Sequence, residues 1–238
     1  MPIQTWQRRP WLWSALAGLC LVLAACGGSS AKTSPYTSPQ LIQKASTNFA
    51  QDTALHFTLA ATNIAPGDFA VTQAQGDVVR PDKLEIHGID EILAGATAGI
   101  GIIIIGSNQY VSFGDTGTYK STTQLPNLLA IFSPSQGIGA ILSQMQNPSS
   151  PVDDTVNGVD CWRITGTVSS TTLAPITGNP PATPTDVKTT LWIDQNDYQF
   201  NQVVLAGVAA TGDTPNTTRT FVLSKYNESV TITAPPTQ

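Results

Sequence analysis

The sequence predicts an α+β fold, with a few helices on one face of a curved antiparallel sheet. Three observations lead there. Apolar and polar residues alternate along many short segments, about three segments carry helical spacing instead, and turn residues punctuate the chain between them. Ser38 and Pro39 read as an N-cap and first helical residue, and Leu41, Ile42, Ala45 and Phe49 follow on one helical face. From Leu55 the period becomes two, with Leu55, Phe57 and Leu59 alternating against His56, Thr58 and Ala60. Residues 69–79 form a second strand between turn signals at Pro66-Gly67 and Pro81-Asp82. Residues 83–87 form a third, with Leu84 and Ile86 opposite Glu85 and His87.

The next strand contains the run Ile102, Ile103, Ile104, Ile105, which does not alternate. Divided by phase, Ile100, Ile102 and Ile104 continue the apolar face begun by Leu55 and Leu84. Gly101, Ile103, Ile105 and Ser107 take the other face, where the two isoleucines need a cover: a loop, a partner or a membrane. A turn at Gly106-Ser107-Asn108 leads to a return strand over residues 109–113. Leu125, Leu128, Leu129, Ile131 and Phe132 then form an apolar segment interrupted by Pro126, a candidate lid or mouth. Ser133-Pro134 repeats the helix-start signal, with Ile138, Ile141, Leu142 and Met145 on one face behind it. The remainder is mostly strand: residues 161–168, 187–194, 199–206, 219–226 and 229–233, with a short helix over 170–176 and a proline-rich loop after it.

Composition narrows the chemistry. Of 238 residues, 41% are hydrophobic, enough for a substantial core, while only 11% are charged. The net charge of −5 supplies no basic stripe to neutralise phosphates, so nucleic acid is not an expected partner. Cys20, Cys26 and Cys161 lack the spacing of a zinc site or a disulfide framework. There is no G-x-S-x-G elbow, no H-E-x-x-H and no phosphate loop. His56 and His87 fall on the polar phase of their strands and read as solvated surface residues. Asp90-Glu91 and Asp153-Asp154 adjoin turns, and Cys161 reads as a buried, inert thiol. No catalytic residue, metal site or cofactor is expected.

The N-terminus sets the compartment. Arg8 and Arg9 precede an apolar run over residues 11–23, shorter than the ~20 residues a spanning helix needs. The run ends in Leu23-Ala24-Ala25-Cys26, the pattern of a bacterial lipoprotein signal, whose small residues admit the peptidase and whose thiol accepts diacylglycerol. Residues 1–25 are therefore expected to be a removed signal peptide, and residues 26–38 a lipidated N-terminus and flexible tether. Residues 39–238 form one domain, held through Cys26 on the outer face of the cell membrane.

Several stretches carry a resemblance. VDDTVNGVDCWRITGTVSS, DVKTTLWID, VVLAGVAA, FVLSKYNESVTITAPP and GSNQYVSFGDTGTY, together with the lipobox, resemble the mycobacterial LprG/LppX-type lipoproteins over most of residues 39–236. The resemblance implies a LolA/LolB-like half-barrel with helices across its concave side and an apolar cavity between. It also implies carriage of multi-acyl lipids or glycolipids across or along the cell envelope, alongside an envelope lipid exporter. A monomer is expected. An acyl chain of about sixteen carbons loses on the order of 12 kcal/mol if exposed to water, so such a cavity must be lined continuously with apolar groups. The inward phases offer Leu55, Phe57, Leu59, Leu84, Ile86, Ile100, Ile102, Ile104, Ile138, Ile141 and Leu142 for that lining. The alternatives are an adaptor lipoprotein with a collapsed cavity holding a protein partner, and an envelope enzyme, for which the sequence shows no polar cluster.

Overall fold

Alternating side chains need two different environments, and an eleven-stranded antiparallel sheet provides them. The computed structural model describes residues 32–64, 70–93, 96–114 and 117–236. Six strands follow one another as a meander: β1 (Ala54–Thr62), β2 (Ala70–Val79), β3 (Lys83–Leu93), β4 (Ala96–Ile105), β5 (Asn108–Phe113) and β6 (Lys120–Thr122). Five more form a second meander: β7 (Val152–Val156), β8 (Val159–Ser169), β9 (Asp186–Asp194), β10 (Phe200–Ala206) and β11 (Thr218–Ser224). The first strand joins the last, with Phe57 opposite Leu223 and Leu59 opposite Phe221. The sheet is open, with β6 and β7 at its two edges.

Helices come before, between and within the meanders. Helix α1 (Ser38–Gln51) precedes β1, a 3₁₀ segment (Leu128–Phe132) and α2 (Ile138–Leu142) link the meanders, and α3 (Ser170–Thr177) joins β8 to β9. One phase of the strands and the apolar residues of all these segments share a single buried cluster. Phe49 of α1 meets Phe200 of β10 edge to face, ring centroids 6.2 Å apart, and Ser46 Oγ donates to Gly139 O of α2 at 2.8 Å.

Several details depart from the sequence reading. Thr37, not Ser38, caps α1, with Thr37 N donating to Gln40 Oε1 at 2.9 Å. Ser38 lies inside the helix and its hydroxyl donates to Ser149 O. The third strand continues past His87 because Gly88, at φ +59°, makes a β-bulge. The extra residue returns Ile89 to the face of Leu84 and Ile86, so the sequence alternation stops where the strand does not. Asp90 and Glu91 thus lie in a strand rather than beside a turn. The same holds for Asp153 and Asp154 in β7. Ser133-Pro134 does not start α2: Gly137 caps it, and Gly137 N donates to Ser133 O at 2.8 Å. Residues 229–233 form no strand, because β11 already has β1 on one side and β10 on the other. The turn at Pro66-Gly67, Phe69, Cys26 and the whole signal segment lie outside the described residues.

The isoleucine strand divides by phase. Ile100, Ile102 and Ile104 belong to the shared cluster, while Ile103 is buried outside it and Ile105 half-buried. Part of the outer cover is Tyr119, whose hydroxyl would stand 2.8 Å from a Cβ on Gly101. A loop of the chain itself, rather than an added partner, lies over Gly101.

Candidate functional site

A pocket of about 520 Å³ opens between the first meander and the segments above it. Its strand walls come from β1 (Phe57, Leu59), β2 (Val71, Ala74), β3 (Leu84, Ile86, Ile89), β4 (Ile102) and β11 (Arg219, Phe221). Leu128, Ile131 and Phe132 of the 3₁₀ segment form a further wall, and Phe132 lies 4.9 Å from Phe57 between ring centroids. Alternation explains most of the apolar walls, the bulge at Gly88 keeps Ile89 in the inward set, and register shifts in β2 let Val71 join Ala74 there.

The other end is polar. It is built from the C-terminal end of α3 and the loop between β10 and β11, through Thr177, Asn179, Thr211 and Asp213. Thr211 N donates to Asn179 O at 2.7 Å and its hydroxyl to Pro180 O at 3.0 Å, tying the two loops together. Arg219 points inward in the phase of Phe221, and Asp213 holds it by two bonds, 2.6 Å and 2.8 Å. Asp213 also accepts the backbone N–H groups of Ala209 and Ala210. Asp213 is 2% exposed and Arg219 13%, so this is a buried, bidentate and fully compensated pair.

The sequence-predicted residues separate into groups. Phe57, Leu59, Leu84, Ile86 and Ile102 line the pocket, as do Leu128, Ile131 and Phe132 of the candidate lid. Leu55, Ile100, Ile104, Ile138, Ile141 and Leu142 are buried in the packed cluster and do not line it. Leu129 faces a second pocket of about 360 Å³, and Leu125 packs half-buried against the cluster. Sequence reasoning missed Arg219, Asp213 and Arg80. Arg80 Nε donates to Phe132 O at 2.8 Å and its Nη1 to the carbonyls of Phe49 and Asp52. It therefore ties the end of the 3₁₀ segment to the end of α1. An arginine in the inward phase of a strand, as at 219, was the available signal for a buried pair.

The remaining titratable groups lie elsewhere. His56 is half-buried rather than solvated, with Nδ1 2.9 Å from Asp77 Oδ1 across β1 and β2. His87 is exposed beside Glu85. Cys161 is buried, and desolvation pushes its thiol up to about 12. Burial raises the Asp52 carboxyl, against hydrogen bonds from Asn227 and Gln199. Among the described residues, no three His, Cys, Asp or Glu side chains come together to hold a metal ion. No helix among them is long and apolar enough to cross a membrane.

Comparison with known proteins agrees with this architecture. Lipoprotein LprA of Mycobacterium tuberculosis is 26% identical, covering 93% of this chain and 96% of LprA. The lipoarabinomannan carrier protein LprG of Mycolicibacterium smegmatis is 24% identical, covering 94% of each chain. Among solved structures, LprF of Mycobacterium bovis superposes with a TM-score of 0.68 at 18% identity, covering 83% of this chain and 96% of that one. LppX of Mycobacterium tuberculosis gives 0.59 at 18% identity, covering 82% of this chain and all of that one. These two likenesses establish the fold, and the LppX_LprAFG lipoprotein family model matches residues 37–232. With that span, the chain belongs to the LppX_LprAFG lipoprotein family.

Proposed function

We propose that this protein is a membrane-anchored, extracytoplasmic lipoprotein that binds an acylated lipid or glycolipid and carries it within the cell envelope. In this reading residues 1–25 are removed, Cys26 carries the anchor, and residues 39–238 form a half-barrel whose helices close over an apolar cavity. The observation that carries it is the pocket's polarity: largely buried apolar walls from β1 to β4, and a polar end at which Asn179 and Thr211 are exposed. An amphiphile needs both, because its chain gains roughly 0.8 kcal/mol for each methylene withdrawn from water while its head must stay hydrated. The similarity to LprG, a lipoarabinomannan carrier protein, supports the same class of ligand. An open pocket of about 520 Å³, within the usual range of ligand sites, favours a carrier over an adaptor with a collapsed interior. The function is binding and transfer, with no chemical step.

Transfer of a fluorescent acyl lipid between donor and acceptor vesicles tests the reading. The protein should accelerate transfer, and Ala74→Phe, which places a ring inside the pocket, should abolish the acceleration. Transfer no faster than in protein-free controls overturns the proposal.

A further inference from the structure

We propose that residues 32–36 are a clamp that turns the polar end of the pocket away from the membrane holding Cys26. The protein then exchanges lipid with a facing lipid surface and not with its own. The inference rests on the anchored carrier reading and adds to it an orientation and the residues that impose it.

The clamp is built from contacts at one end of the strands. Lys32 N donates to Asp153 Oδ2 at 2.9 Å, and Lys32 Nζ donates to Asp160 Oδ2 at 2.8 Å and to Gln195 Oε1 at 3.1 Å. Gln195 Nε2 donates in turn to Asp153 Oδ1 at 2.7 Å, which joins the acceptors into one patch. Further along, the Tyr36 ring meets Tyr198 edge to face at 5.6 Å, and Lys44 Nζ lies over both rings. Ser34 closes the intervening turn, its hydroxyl donating to Tyr36 O at 2.8 Å. The chain is therefore fastened before α1 begins.

Orientation follows from where these contacts lie and from how little chain precedes them. Asp160 stands at the start of β8, Gln195 follows the end of β9, and Tyr198 precedes β10. The polar end of the pocket lies at the other end of the same strands, where Thr177 and Asn179 precede β9 and Thr211 follows β10. The length of β9 (Asp186–Asp194) separates the two ends by about 26 Å, at roughly 3.3 Å per residue. The chain from Cys26 to Lys32 reaches roughly 20 Å even when fully extended. With the polar end pressed on the membrane and the strands upright, Lys32 would stand farther from that membrane than the chain extends. A domain tipped on its side would present a strand edge or a sheet face, not the polar end. Were Lys32 and Tyr36 released, the chain from Cys26 to Thr37 would reach roughly 40 Å, enough for the inverted domain. The contacts of Lys32 and Tyr36 thus decide which end can meet the membrane.

The test uses the full chain, processed and lipidated in a bacterial host and reconstituted into phosphatidylcholine–phosphatidylglycerol vesicles. On a Cys161→Ser background, a dye is placed at Asn196→Cys, in the turn between β9 and β10, or at Ala182→Cys, in the loop before β9; both positions are exposed. Energy transfer to a dye on the lipid headgroups reads the height of each. The label at 196 should lie about 25 Å nearer the bilayer than the label at 182. Lys32→Ser combined with Tyr36→Ser should remove most of that difference. A label at 182 as near as that at 196, or a difference undiminished by the double substitution, overturns the inference. Loading with a fluorescent acyl lipid is then compared between the protein's own vesicles and facing vesicles. The clamped protein should load several-fold faster from the facing vesicles, and release of the clamp should raise loading from its own. Loading from its own vesicles as fast as from facing ones overturns the inference and leaves the carrier reading intact. No loading from either overturns the carrier reading, while the two label heights still decide the orientation. Protein that does not stay on the vesicles overturns the anchor at Cys26 and this inference with it.

Discussion

The two meanders of one sheet meet opposite fates. Strands β8 to β10 and the helices α1, α2 and α3 pack into a filled core, in which Leu191, Ile193, Phe200 and Ile164 are fully buried. Strands β1 to β4 carry the same alternation of apolar residues, yet border open space. The difference lies in the cover. A fourteen-residue helix presents Leu41, Ala45 and Phe49 toward the core, whereas a five-residue 3₁₀ segment offers only Leu128, Ile131 and Phe132 over the pocket. Apolar periodicity therefore tells which face is dry, but only the volume of the opposing segment tells whether that face is filled.

The largest effect expected from this contrast is on stability. Leu191→Ala should cost about 3 kcal/mol, because it opens a cavity in a filled region that cannot collapse. Leu59→Ala, at a wall that already borders space, should cost about 1 kcal/mol. Urea denaturation measures both, and equal losses would break the comparison.

Thiol reactivity sharpens it kinetically. With Cys20 and Cys26 replaced by serine, Cys161 is the single thiol. Its burial and a pKa of about 12 leave almost no thiolate at pH 8. A Leu59→Cys reporter placed on a Cys161→Ser background should react about a hundredfold faster with a small thiol reagent, since it needs no opening of the filled core. Matching rates would mean that both halves open alike.

The smallest effect concerns the outer edge of the filled half. Asp154 is held below the ordinary carboxylate range, first by the Trp192 indole N–H and then by Thr155 N–H and Arg163. A carboxyl depressed in the folded state contributes stability above its unfolded value, near pH 4, and loses it as pH falls through the folded value. Asp154→Asn should flatten the acid limb of the stability profile by less than about 1 kcal/mol, because the side chain is 35% exposed. An unchanged limb in urea titrations from pH 6 to pH 2 would place the acid-sensitive groups elsewhere.

Much of this molecule is legible in local patterns. The first helix shows in Leu41, Ile42, Ala45 and Phe49, and the strand phases show in Leu55 to Leu59 and Trp162 to Val168. Patterns fail where one residue changes the phase. Gly88 hides the second half of β3, and an expected strand over 229–233 has no free edge to join. The site was half legible for the same reason. Phe57, Leu84 and Ile102 share an inward phase with Leu55 and Ile104, yet the first three line the pocket and the last two lie in the packed core.

Alternation, spacing and turn residues act between neighbours along the chain, so the sequence by itself determined the α+β class, the inward faces and the segments that become helices. The Leu23-Ala24-Ala25-Cys26 pattern is local in the same sense, being carried by four consecutive residues. Pairing of β1 with β11, the filling under α1 and α2, and the meeting of Arg219 with Asp213 at one end of an apolar pocket depend on segments far apart in the chain. Only the tertiary structure decided these, because packing volume and charge compensation are properties of elements brought together.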